Sequence, residues 1–203
     1  MGLPPVRVLL FSGGIESTAL ACWLRPERLL MIDYGQIPAA GERRAAHHVA
    51  SELGLDLDEI EIDASSLGAG DMVGRAAVAG AGASEAWPFR NQFLITLAAM
   101  RYADDDLREI LIGTIVTDTV HPDGRPEFIA AMDALIRIEA PDVRVRAPAH
   151  ELDAPELVRR SGVSRNLLGW TFSCHRGTIA CGQCRGCTKT MEVFAALDSG
   201  GTA

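Results

Sequence analysis

Apolar and polar positions along the first third of the chain follow two periods in turn. The run Val6-Arg-Val-Leu-Leu-Phe11 is apolar except at Arg7 and β-branched at both valines, the pattern of a buried parallel strand. After Ser12-Gly-Gly-Ile-Glu-Ser17, residues Thr18 to Leu24 carry helix-forming Ala and Leu, and Pro26 stops that helix. Leu29 to Asp33 reads as a second strand, Gly41 to Leu53 as an amphipathic helix closed by Gly54, and Leu57 to Ile62 as a third strand. The succession βαβαβ predicts an α/β fold with a doubly wound parallel sheet. Further on, the pattern predicts a helix over Asn91–Ala103, a strand over Glu109–Gly113 and a helix over Pro126–Ile138. A last strand at Val143–Val145 and a short helix over Ala154–Ser161 follow.

Between these, Ala64 to Ala86 is rich in Gly, Ala and Ser and has little periodicity. It reads as a variable surface loop or as a lid over a site, since long loops in compact domains often carry function.

The chain has 203 residues, enough for one well-cored domain over 1–203 and too few for a second full one. No stretch is apolar enough to span a bilayer, and Met1-Gly-Leu-Pro-Pro-Val-Arg7 reads as neither a secretory signal nor, at Gly2, an acyl anchor. The expectation is a cytoplasmic protein with no membrane partner. A net charge of −8 argues against a broad grip on nucleic acid, though not against a local site for a small anion. Of the 19 basic residues only Lys189 is a lysine.

Two local motifs carry chemistry. Gly13 and Gly14 follow a strand and precede a helix, where they let the backbone turn tightly and approach a phosphate. The exposed N–H groups and the helix N-terminus favour anions. Ser12, Ser17 and Thr18 add hydroxyl donors, and Glu16 is placed to hold Mg2+ between phosphates. The spacing is neither a Walker loop nor a dinucleotide fingerprint, and a plain strand-to-helix turn is the bland reading.

The second motif is Cys174, Cys181, Cys184 and Cys187, four of the five cysteines within fourteen positions. Two-residue gaps let thiolates converge on one ion, so the segment 171–190 reads as a closed structural Zn2+ site, with an iron–sulfur cluster as the rival. His175 would be a fifth ligand and is left outside the set. Cys22, alone on an apolar helix face, reads as a core residue.

Phe11-Ser-Gly-Gly-Ile-Glu-Ser-Thr18 resembles the Ser-Gly-Gly-x-Asp-Ser loop of the PP-loop ATP pyrophosphatases, with Glu16 where Asp is usual. Within that superfamily the chain resembles the 7-cyano-7-deazaguanine synthases. The matching stretches are Asp33-Tyr-Gly-Gln36, Pro88-Phe-Arg-Asn91, Ile112-Gly113 with Asp118, His121-Pro-Asp-Gly-Arg-Pro-Glu-Phe-Ile129, and Thr171-Phe-Ser-Cys174 with the cysteines after it. They occur in the family's order from Val6 to Lys189.

The resemblance implies an enzyme that uses ATP to adenylate the carboxylate of 7-carboxy-7-deazaguanine. It then admits ammonia to form the amide and spends a second ATP to reach the nitrile. It further implies catalytic roles for Ser12, Glu16, Ser17, Arg90 and Asp118. ATP would lie against Phe11, Ser12, Gly13, Gly14, Glu16, Ser17, Thr18, Asp33, Tyr34 and Gln36, and the substrate against Arg90, Asn91, Asp123 and Arg125. A homodimer is the oligomeric state it suggests.

The chain departs from the family at Ile37-Pro-Ala-Ala40, where polar residues are usual, and at Gly124, where the family has Cys. The stretch Ala147 to Glu156 lacks a lysine the family carries there. These losses allow a second reading, a ligase that stops at the amide or joins the deazaguanine to an amine on a protein acceptor. A tRNA-modifying thiolase would want a basic extension and a catalytic cysteine. A non-catalytic nucleotide-binding protein stabilised by zinc is the remaining alternative.

Overall fold

The computed structural model of the chain describes residues 5–199, without the side chains of Thr119 and Val120. Gly2, read for an anchor, and the outer ends of the span 1–203 lie outside the described residues. Five strands, β1 (Val6–Leu10), β2 (Arg28–Asp33), β3 (Leu57–Glu61), β4 (Leu107–Leu111) and β5 (Arg144–Arg146), form a parallel sheet in the order β3-β2-β1-β4-β5. Seven α-helices accompany them: α1 (Ile15–Leu24), α2 (Ala39–Leu53), α3 (Arg90–Arg101), α4 (Pro126–Glu139), α5 (Ala154–Ser161), α6 (Arg165–Leu168) and α7 (Arg185–Ser199).

The two-residue period of the strands divides their side chains between two cores. Leu9, Phe11, Leu29, Met31 and Leu111 pack with α1, α2, α5, α6 and α7 on one face. Val8, Leu30, Ile32, Ile110 and Ile112 pack with α3 and α4 on the other. Burying each such side chain fully is worth about 1.5–3 kcal/mol, which is why the central strands read as apolar runs. The chain winds outward from β1 through β2 to β3, then returns to β4 on the opposite side of β1. That reversal opens a crevice beyond the carboxyl ends of β1 and β4, where ligands sit in sheets of this kind.

The first two helices begin earlier than periodicity alone predicts, while α4 and α5 start where expected. α1 starts at Ile15 and α2 at Ala39, because the first turn needs no apolar stripe of its own. α1 ends with Arg25 in the left-handed region (φ +47°), its N–H bonded to Ala21 O at 3.1 Å, just before Pro26. Asp153 and Glu156 form a reciprocal cap that starts α5, so the stretch lacking the family's lysine is a helix start here. Cys22 on α1 is partly exposed rather than fully buried.

Two elements have no counterpart in the sequence reading: α6, and α7, which emerges from the cysteine segment. Among the described residues no helix is long and apolar enough to cross a membrane.

Candidate active site

The loop after β1 is shaped by what presses on it. Gly13 has φ +71°, and a Cβ there would stand 2.7 Å from the backbone nitrogen of Ala46 on α2. No side chain fits. Gly14 then precedes α1, where its N–H donates to Ser12 Oγ at 3.3 Å and its carbonyl accepts from Ser17 Oγ at 3.1 Å. Glu16 lies in the first turn of α1, where the helix dipole favours a negative charge.

This loop forms one wall of a cleft of about 290 Å³ above the sheet crevice. Of the residues expected at a site, Phe11, Ser12, Gly14, Glu16, Ser17, Tyr34, Arg90, Asn91, Asp118 and Asp123 line it. The others do not. Gly13 is covered by α2. Thr18 is fully buried and its N–H is already bonded to Gly14 O at 2.9 Å. Asp33 closes a turn with Gly35 N (3.1 Å) and pairs with Arg43 (3.1 Å), while Gln36 braces Tyr34 N and Ile32 O. Arg125, exposed at the start of α4, is not part of the lining.

The opposite wall comes from α3 and two flanking loops. Asn91 is tied to the 122–124 turn: its Nδ2 donates to Asp123 O at 3.0 Å, and its backbone N–H reaches Asp123 Oδ2 at 3.3 Å. Asp123 thus caps α3 as well as facing the cleft. Gly124 lies so close beneath Asp118 that an added Cβ would come within 2.7 Å of the Asp118 carbonyl. The local packing therefore excludes the cysteine that the resembling family has at this place.

Arg90 Nη1 approaches Met72 Sδ at 3.3 Å, and the Tyr34 ring meets Trp87 edge-on at 5.0 Å. Met72 and Glu85 bring two parts of the irregular 64–86 segment against the cleft, whereas residues 74–80 between them are exposed. The loop is thus a wall at those two parts and surface between them.

Several lining groups escaped the sequence reading. Glu42, on α2, accepts from Gln36 Nε2 at 2.7 Å; burial pushes its carboxyl up to about 7, against the opposing pull of Gln36 and Arg90. Burial works to raise Glu85 too, but the hydrogen bonds from His121 and Arg185 win and hold it down at about 2. Glu85 Oε1 lies 2.8 Å from Arg185 Nη1 and 3.3 Å from His121 Nε2. Lys189 Nζ lies 2.8 Å from Glu16 Oε1 and 3.3 Å from Asp118 Oδ1.

Lys189 left a signal as the one lysine in the chain, and His121 opens one of the matched stretches. Glu42 left none, and neither did Glu85, whose partner Arg185 is 100 positions away.

The cysteine segment supplies the third wall. Cys174 and Cys184 have sulfurs 3.9 Å apart, as do Cys181 and Cys187, and all four lie within 4.8 Å of one another. Sulfurs at about 2.3 Å around one tetrahedral ion stand about 3.8 Å apart, so the set can hold a single metal ion. The N–H of His175 points at Cys184 Sγ (3.3 Å) and that of Cys184 at Cys181 Sγ (3.4 Å). Amides of Gln183 and Cys184 pull the Cys181 thiol down to about 6, toward the thiolate a metal requires.

This segment is docked on the phosphate loop. Phe172 N–H donates to Gly13 O at 2.9 Å, and the Phe172 ring fills the space a Cβ on Gly41 would occupy, 2.5 Å from it. Gly186 lets α7 start against Ser173, where a Cβ would fall 1.8 Å from the Ser173 carbonyl. Thr114 Oγ1, Ser173 Oγ and His175 Nδ1, all on lining residues, are buried without a hydrogen-bond partner. Orphaned polar atoms gathered at one cleft suit a polar ligand.

The sequence model of queuosine biosynthesis protein QueC matches residues 6–198. A 7-cyano-7-deazaguanine synthase from Pseudomonas aeruginosa is 29% identical over 93% of this chain and 93% of its own. Those from Thiobacillus denitrificans and Azotobacter vinelandii are 30% and 31% identical, over 96% and 93% of this chain and 95% and 92% of their own. Among solved structures, the U34-tRNA thiolase NcsA from Methanococcus maripaludis with its [4Fe-4S] cluster superposes with a TM-score of 0.55. That match covers 99% of this chain and 67% of the thiolase, and at 12% identity it shows a shared fold alone. With the family pattern running through all but its first and last few residues, the chain belongs to the QueC family.

Proposed function

We propose that the chain is an ATP-dependent carbon–nitrogen ligase that converts 7-carboxy-7-deazaguanine to 7-cyano-7-deazaguanine. The observation that carries this reading is that the Ser12–Ser17 loop and the Arg90–Asn91 wall open onto one cleft. A phosphate-binding loop and a carboxylate-binding arginine then meet across one substrate.

A carboxylate is a poor electrophile. One of its oxygens attacks the α-phosphorus of ATP, the bond to the bridging oxygen breaks, and diphosphate leaves with the electron pair. Ammonia then attacks the acyl carbon of the adenylate, AMP leaves, and the amide remains. A second adenylation, on the amide oxygen, and loss of AMP with two protons give the nitrile.

In this scheme the backbone N–H of Gly14, with Ser12 and Ser17, holds the phosphates, and Gly13 shapes their loop from behind. Glu16 and Asp118 would hold the Mg2+ that accompanies ATP. Arg90 holds the substrate carboxylate with its planar fork, and Asn91 and Asp123 meet the heterocycle. Asp33, Gln36, Thr18 and Arg125 support these groups from behind. Catalysis is then largely positioning and charge stabilisation.

The four cysteines fit a single Zn2+. An iron–sulfur cube spreads its four thiolates over four irons, farther apart than sulfurs 3.9 Å from one another. When bound, the ion supplies a fixed cross-link, and the residues it fixes (Ser173, His175, Arg185, Lys189) face the cleft.

A second reading has support from Ile37 and Phe89, which are 40% and 76% exposed beside Gln36 and Arg90. Apolar groups at these places suit an amine carried on a protein more than free ammonia. Zinc-loaded protein incubated with ATP, magnesium, 7-carboxy-7-deazaguanine and ammonium should yield the nitrile and AMP by mass spectrometry. An amide that never loses water would favour the protein acceptor. Absence of both AMP and diphosphate would end the ligase reading.

A further inference from the structure

Lys189 is the only lysine in the chain, although the chain contains 19 basic residues in total. Its ammonium is bridged between carboxylates from two separate elements, Glu16 on α1 (2.8 Å) and Asp118 in the turn after β4 (3.3 Å). Burying an ammonium is costly unless it is paired, and here both partners line the same cleft. Three guanidinium or ammonium groups line that cleft, those of Arg90, Arg185 and Lys189. Arg185 is engaged with Glu85 and His121, and Arg90 lies against Met72 and Asn91. Among the described residues Lys189 is the one of the three whose ion pair is with the phosphate loop.

Its support is equally specific. Cys187 lies two positions before it, and Gly186 seats the start of α7 against Ser173. The cysteine centre therefore fixes where this side chain enters the cleft. In a chain that otherwise uses arginine, an ammonium here is a chemical choice. It is a compact charge that can follow a phosphate as its geometry changes, whereas a guanidinium presents a rigid fork.

We infer that Lys189 is a catalytic residue that moves from Glu16 and Asp118 onto the phosphate chain of ATP and neutralises the charge that builds at the α-phosphorus. The inference rests on the ATP-dependent reading above. As the carboxylate oxygen bonds to phosphorus and the bond to diphosphate breaks, negative charge gathers on the non-bridging and leaving oxygens. Lys189 supplies charge there and transfers no proton.

Two experiments on the full zinc-loaded chain test this. The first treats wild-type protein with a biotin acyl phosphate of ATP, whose acyl carbon is attacked by an amine beside bound phosphate, releasing ATP and forming an amide. The expected result is acylation of the Lys189 peptide, suppressed by excess ATP; bound ATP without such labelling would overturn the inference. The second compares Lys189→Met and Lys189→Arg. Lys189→Met should lower the turnover of diphosphate release about a hundredfold with little change in KM for ATP. Lys189→Arg should recover part of that.

A purely structural lysine would instead lower zinc content and thermal midpoint in both variants while leaving turnover of the folded fraction unchanged. Should wild-type protein release no diphosphate with 7-carboxy-7-deazaguanine, the functional reading fails. The labelling result then decides the inference alone, since it needs no acceptor.

Discussion

The βαβ unit around the phosphate loop and the cysteine segment both form walls of one cleft, yet they are held by different forces. The first is built on fully buried side chains, Leu9, Ala19, Leu20 and Leu29 among them. The second has a core of three cysteines, Cys174, Cys184 and Cys187, with Phe172 packed against them. Hydrophobic burial sets the first region wherever the chain folds. The second has little apolar burial and four sulfurs close enough to hold one metal ion, and it is the second that delivers His175, Arg185 and Lys189 to the cleft. On the proposed function, the chemistry of the site should be lost with the metal while the sheet stays folded.

The largest expected effect separates the two regions outright. Cys184→Ser should abolish stoichiometric zinc binding and, with it, AMP formation. Structural zinc binding contributes on the order of 10 kcal/mol to such segments. Far-UV circular dichroism should keep most of its sheet and helix signal, because the two apolar cores contain none of the four ligands. A global loss of that signal would show that the regions are not separable.

Next in size, Leu29→Ala should destabilise the sheet by about 2–5 kcal/mol in urea unfolding. Zinc stoichiometry of the folded fraction should stay unchanged. Zinc loss at urea concentrations below the main transition in the variant alone would couple the regions more tightly than argued here.

A smaller effect follows from Glu42, whose carboxyl burial raises from 4.5 to about 7. A raised folded value means the protonated form is favoured in the native state. Its stabilisation is therefore complete below about pH 4.5 and disappears as pH rises through about 7. Glu42→Gln should flatten stability against pH between those values by on the order of 3 kcal/mol. Parallel curves for wild type and variant would contradict the assignment.

Smallest of all, Asp71→Ala removes an exposed pair with Arg176 (2.9 Å) that joins the 64–86 segment to the cysteine segment. Surface pairs contribute about 0–1 kcal/mol, so the thermal midpoint should barely move. Hydrogen exchange across residues 70–74 should quicken. Unchanged exchange would show that this pair does not hold the loop.

The same contrast explains what could be read in the sequence. The strands, α1, the glycine turn and the cysteine spacing are local features, each specified by a few adjacent residues. The doubly wound parallel sheet followed from the βαβ alternation, whereas its strand order is a finding of the structure. Lys189 with Asp118 and Arg185 with Glu85 join residues 71 and 100 positions apart, and no local pattern records such a meeting. α7 was hidden because its first turn carries Gly186 and Cys187 where an apolar stripe would begin, with Val193 the buried apolar residue beyond them. Thr18 and Gln36 lie in motifs that read as ligand-binding, but helix and turn geometry directs them inward. Gly124 looked like a lost functional group and is explained by contact with Asp118.

Adenylation of the carboxylate is the central claim, and oxygen transfer tests it most directly. With 7-carboxy-7-deazaguanine labelled with 18O in its carboxylate, the attacking oxygen stays on phosphorus when the acyl group leaves. The account predicts AMP carrying one 18O from each turnover of amide formation. Label found in inorganic phosphate, with ADP as the nucleotide product, would contradict it.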